Sequence, residues 1–129
     1  MDELVAWLRA QLDEDERTAQ AASPGPWYVN AEHDEVMAVD DVTVAEGFAL
    51  SGRQLRATVD HIARHDPARV LREIDTKRRL LDLHRPYVPE PNQSCLGCAG
   101  GIMFSSCPVV RLLALSYTDR PGYREEWRP

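Results

Sequence analysis

The sequence predicts an α+β fold, mainly helical, with a small antiparallel β meander and a zinc-stapled C-terminal half. Three observations carry that prediction. Apolar residues recur at helical spacing in four separate segments. Short β-prone runs divided by acidic residues and Asn occupy residues 27–48. One histidine and three cysteines frame a stretch rich in proline and glycine, from His84 to Cys107.

Leu4, Val5, Leu8 and Leu12 follow Asp2, a candidate N-cap, and Asp13 to Glu16 belong on the solvated side, so the first helix is read over 1–22. Ser23-Pro24-Gly25-Pro26 ends it, because proline lacks an N–H and has a fixed φ. The meander over 27–48 uses Trp27-Tyr28-Val29, Val36-Met37-Ala38-Val39 and Val42-Thr43-Val44. Strands this short are marginal alone and need helices to pack on. A helix pair is expected over 53–84. Leu55, Val59 and Ile62 stripe its first member, which stops near His65. Asp66 as N-cap and Pro67 at the first helical position start the second, striped by Val70, Leu71, Ile74 and Leu81. A knuckle and final helix fill 85–118, with Val110, Leu113, Ala114 and Tyr117 facing inward from a start at Pro108. The tail over 119–129 reads as irregular, anchored by Tyr123 and Trp127. At 129 residues the whole, 1–129, is expected to be a single domain.

Composition narrows the function classes. The apolar fraction is 43% and the charged fraction 28%, both ordinary for a folded chain. No run approaches the roughly 20 apolar residues that cross a bilayer, and Met1-Asp2-Glu3 is acidic where a secretion signal is basic. Three cysteines are an odd number, which suits free thiols in a reducing compartment better than a disulfide framework. A soluble cytoplasmic protein with no membrane contact is the expectation. The net charge of −6 is unevenly divided: residues 1–50 carry 12 of the 21 acidic residues but only 2 of the 15 basic ones. Bulk attraction to nucleic acid is therefore not expected, although a local basic face remains an option.

Chemistry concentrates in His84, Cys95, Cys98 and Cys107, a Cys₃His set of the type that binds one structural zinc. Gly97 within Cys95-Leu96-Gly97-Cys98 relieves the backbone so that two sulfurs can converge. His84 continues the core face of the third helix at its C-terminal end, and Cys107 stands where the last helix needs an N-cap. Four protein ligands would close the coordination sphere, so the zinc itself implies no catalysis. Against this stands the plainer reading in which the cysteines are small buried hydrophobes and His84 caps a helix. A Cys95–Cys98 redox pair is a further reading, opposed by the absence of the strand-to-helix setting such pairs use.

Other residues are weighed in the same way. His61 and His65 share a helical face and, with Asp66, are the residues on which an enzyme would be built; either histidine is also the reserve fourth zinc ligand. Arg69, Arg72, Lys77, Arg78 and Arg79 could meet phosphates or a partner, yet Glu73, Asp75 and Asp82 lie at pairing distance, which favours a salt-bridged face. The acidic first helix could also neutralise this basic one. Trp7 and Trp27 are assigned to the core, and Trp127 is placed evenly between core and partner contact.

The stretch His61 to Arg78, the Ser23-Pro-Gly-Pro-Trp27 turn, Cys107-Pro-Val-Val-Arg-Leu-Leu-Ala-Leu115 and the ending Tyr123-Arg-Glu-Glu-Trp-Arg-Pro129 together resemble domain of unknown function 6221. The resemblance spans nearly the whole chain and departs at Ser116 to Pro121. It implies a free-standing small protein of actinobacteria and their phages, and it brings no activity, substrate or catalytic residues. The resulting expectation is a non-enzymatic interaction or accessory protein whose partner is another protein. A nucleic-acid-associated regulator and an uncharacterised enzyme are the alternatives.

Overall fold

In the computed structural model, which describes all 129 residues, four helices and one three-stranded antiparallel sheet are joined by loops and two 3₁₀ turns. The helices are α1 (Asp2–Ala21), α2 (Gly52–Arg64), α3 (Pro67–Leu83) and α4 (Pro108–Leu115). The strands β1 (Tyr28–Val29), β2 (Glu35–Met37) and β3 (Thr43–Glu46) pair in the order β1-β2-β3, a meander. No helix is long and apolar enough to cross a membrane. The chain divides into two compact units, one of residues 1–14 and 74–129 and the other of residues 15–73.

In the first unit, Leu4, Leu8 and Leu12 are spaced four apart on α1 and have no exposed surface. Burying each stabilises the fold by about 1.5–3 kcal/mol. Ile74 and Leu81 of α3, Val110 and Ala114 of α4, and Phe104 and Tyr117 are also buried here. The helix begins at Asp2 itself, the residue expected to cap it: Met1 O accepts the Val5 N–H, so Asp2 and Glu3 lie inside the first turn, where their charge complements the helix dipole.

The tail is more ordered than its polarity suggests. Glu125–Trp127 forms a 3₁₀ turn, and Trp127 is only 7% exposed. Its ring centroid lies 5.4 Å from Trp7 and 5.8 Å from Tyr123, and Trp7 and Tyr123 are themselves 5.8 Å apart edge to face. Such pairs add about 0.5–1.5 kcal/mol beyond area burial. The Trp7 indole N–H donates to Pro121 O at 3.0 Å. Gly122 makes that approach possible, because its φ is +90° and a Cβ there would stand 2.8 Å from Trp7 Nε1. Arg111 fastens the same end by donating to Glu126 O and Ser105 O.

In the second unit, α2 packs on β1 and β2 over Val36, Ala38 and Val59, all fully buried. Ser51 caps α2 by accepting from Gln54 N–H. Asn30 shapes the β1–β2 turn by accepting from the Asp34 and Glu35 amides. Asp66 is the buried charged residue of this unit, 6% exposed. One of its oxygens accepts from Arg69 N–H at 2.8 Å, which caps α3, while the other accepts from Trp27 N–H at 2.9 Å. Trp27 is half-buried rather than enclosed, its indole N–H donating to Ser23 O.

Asp66→Ala would leave two amides without acceptors, so unfolding free energy should fall by about 1–3 kcal/mol in urea melts. Asp66→Asn should fall between it and the unaltered chain, since its amide oxygen can still cap α3 while its NH₂ cannot accept from Trp27.

Candidate metal centre

Four local structures bring His84, Cys95, Cys98 and Cys107 together. α3 ends at Leu83, and His84 follows immediately, its N–H still bonded to Leu80 O. Two isolated antiparallel bridges, Pro86 with Cys95 and Ser94 with Met103, fold the next segment back; Cys95 N–H donates to Ile102 O and Leu96 N–H to Arg85 O. Cys98 N–H then donates to Cys95 O at 3.3 Å, closing a tight turn that places the two cysteines side by side. Gly100 and Gly101, with φ of +77° and +72°, reverse the chain. Phe104–Ser106 forms a 3₁₀ turn that delivers Cys107 to the N-cap of α4.

Their ligand atoms all lie within 4.8 Å of one another. His84 presents Nδ1, 3.5 Å from Cys95 Sγ, 3.5 Å from Cys98 Sγ and 3.4 Å from Cys107 Sγ. Cys107 Sγ is 3.7 Å from both other sulfurs. A tetrahedral ion with bonds of about 2.3 Å to sulfur and about 2.0 Å to nitrogen requires sulfurs about 3.8 Å apart, with the nitrogen about 3.5 Å from each. The five measured separations match those edges, so the group fits a tetrahedral metal ion such as zinc.

Cys95 and Cys107 are almost fully enclosed, at 3% and 0% exposure, and Cys98 is half-buried. Without a metal, burial and the hydrogen bonds from Cys95 and Cys107 push the Cys98 thiol from 9.0 up to about 12. The neutral thiol is thus the form this pocket favours when empty of charge, and an entering cation must displace its proton.

Gly97 serves the site for a reason different from the expected one. Its φ is not among the positive ones; instead a Cβ there would stand 2.8 Å from His84 Cγ, His84 Nδ1 and Leu83 O. The missing side chain lets the knuckle backbone lie against the imidazole. Only the fold reveals this, because the sequence separates the two residues by the proline loop.

His61 and His65 take no part in the cluster. Their ring centroids lie 4.2 Å apart with the planes tilted by 39°, and His65 Nδ1 lies 2.6 Å from His61 O. Their unit instead holds a His33 Nε2···Asp60 pair at 2.9 Å, which sequence spacing gave no means of finding. Of the basic residues of α3 in the second unit, Arg69 pairs with Glu73, and Arg72 is engaged as well. In the first unit, Lys77 donates to Tyr117 Oη, Arg78 pairs with Asp13, and Arg79 with Asp75. Arg9 of α1 pairs in turn with Asp82.

Gly97→Ala should weaken metal affinity ten- to a hundredfold by displacing His84, a scale set by disturbed supporting contacts at metal sites, while Gly52→Ala, with only ordinary contacts, leaves it unchanged in competition titrations. In the metal-free chain, the raised Cys98 value means that this thiol supports folding below about pH 9 and loses that support as pH climbs toward about 12. Melts across that window should show a loss in the metal-free chain that is smaller in Cys98→Ser.

A family model described as a family of unknown function (DUF6221) matches residues 1–129. No curated protein and no solved structure matches the chain.

Proposed function

We propose, for a chain that belongs to the family of unknown function DUF6221, that it is a small non-enzymatic accessory protein whose single zinc ion is architectural. The observation that carries this reading is the closed donor set. Three sulfurs and one imidazole nitrogen occupy every corner of a tetrahedron, leaving no position for an activated water or a substrate atom. Soft thiolates with imidazole select zinc over magnesium or calcium, which take oxygen ligands. In that role the ion ties the end of α3 to the start of α4 and orders a loop that has few apolar contacts of its own.

Its work then consists of presenting a surface, and the expected partner is another protein. Phage or mobile-element biology in a cytoplasmic setting is the context the family resemblance suggests. A nucleic-acid role for the basic residues of α3 draws less support, because Arg69, Arg78 and Arg79 are committed to carboxylates within the chain. An enzyme built on His61, His65 and Asp66 draws less still, since both Asp66 oxygens already accept backbone amides.

Metal analysis of the purified chain should find close to one zinc per molecule. A chelator should cut its thermal stability sharply, and added zinc should restore it. A chain free of zinc, equally stable with and without chelator, would refute the architectural role. Duplex binding that weakens steeply with salt would favour the nucleic-acid alternative.

A further inference from the structure

The three sulfurs of the cluster are not equivalent. Cys95 is locked by the bridge to Pro86 and the bond from its N–H to Ile102 O, and it is 3% exposed. Cys107 is held by its N–H bond to Phe104 O and by its place at the head of α4, and it is wholly enclosed. Cys98 is half-buried and leads into Ala99-Gly100-Gly101, all exposed. Around both glycines there is open space within 4 Å of the position a Cβ would take. Of the three, Cys98 is therefore the sulfur a small molecule reaches and the one whose backbone has room to move. Its Sγ lies 3.7 Å from that of Cys107 and within 4.8 Å of that of Cys95.

We propose that Cys98 is an oxidation site, at which a peroxide converts the metal centre into a disulfide and expels the ion. This inference rests on the metal reading above and extends it to a reactivity. The chemistry balances in two steps. Cys98, a thiolate while it holds the ion, attacks one peroxide oxygen; an S–O bond forms, the O–O bond breaks and hydroxide leaves, giving the sulfenic acid. A buried neighbour, Cys95 or Cys107, then attacks the Cys98 sulfur; the S–S bond forms, the S–O bond breaks and a second hydroxide leaves. Two thiolates have lost two electrons, one peroxide has gained them, and two solvent protons neutralise the hydroxides. Two of the four ligands are gone, so the dication departs. With it goes the tie between α3 and α4, and the surface those helices present changes with the peroxide level.

The test uses the full chain loaded with zinc, its metal content measured beforehand, and hydrogen peroxide in stepwise excess. Released zinc is followed with a chromophoric chelator, and free thiols are counted in parallel. The expected result is one zinc released per disulfide, with the thiol count falling from three to one. A short exposure with a sulfenic-acid trap should label Cys98, and peptide mapping of the end product should find a bridge that includes it. Cys98→Ser should release its zinc roughly tenfold more slowly, as expected when the accessible thiolate is removed. Trapping in the unaltered chain gives the same answer should that variant fold poorly. Label at Cys95 or Cys107, a Cys95–Cys107 bridge, or zinc retained with three thiols intact would each overturn the proposal while leaving the architectural zinc standing. A chain that takes up no zinc at all would sink both.

Discussion

Convergence of three sulfurs and one imidazole on a single point is the constraint on which the C-terminal half depends. The segment from Arg85 to Ser106 contributes two almost fully buried side chains to the core, Cys95 and Phe104, and two isolated bridges to the backbone network. Neither inventory offsets the entropy of ordering a loop with three prolines and three glycines. An ion held by the four converging donors would do so by closing the loop from both ends, restricting the unfolded chain in the way a cross-link would. The geometry is demanding in return. His84 must lie one residue past the end of α3, Gly97 must lack a side chain beside it, and Cys107 must head α4, and each of these conditions holds.

A second, apolar constraint holds the other edge of the same unit. Trp7, Tyr123 and Trp127 form a three-ring cluster that draws the final residues onto α1. The polar contacts around it, Arg111 to two carbonyls and Arg124 to Glu3, orient the tail more than they stabilise it, since exposed ion pairs contribute about 0–1 kcal/mol. The buried Tyr123 hydroxyl finds no partner, a cost accepted for placing its ring against both tryptophans. The division of charge along the sequence is used within this unit as well: Asp13 and Glu3 of α1 meet Arg78 and Arg124. A basic stretch that looks available to phosphates in one dimension is largely spoken for in three.

Sequence alone determined whatever depends on neighbours a few residues apart. Proline after a capping residue marks both Asp66-Pro67 and Cys107-Pro108, and helices begin at both. Period-four leucines mark α1, and short β-prone runs mark the meander, because helix periodicity and β propensity are largely local properties of the chain. The gathering of His84, Cys95, Cys98 and Cys107 was legible too, since metal chemistry restricts donors to a few residue types and short knuckle spacings, and few other residues here satisfy both. Tertiary structure decided what depends on residues brought together from far apart. It enclosed Trp127 against Trp7, left Trp27 half-buried, joined both Asp66 oxygens to different amides, set Gly97 against His84, and kept His61 and His65 out of the cluster. Those outcomes turn on distances between side chains, and the linear order of a chain specifies distance only over the few residues that one turn of helix or one strand pair spans.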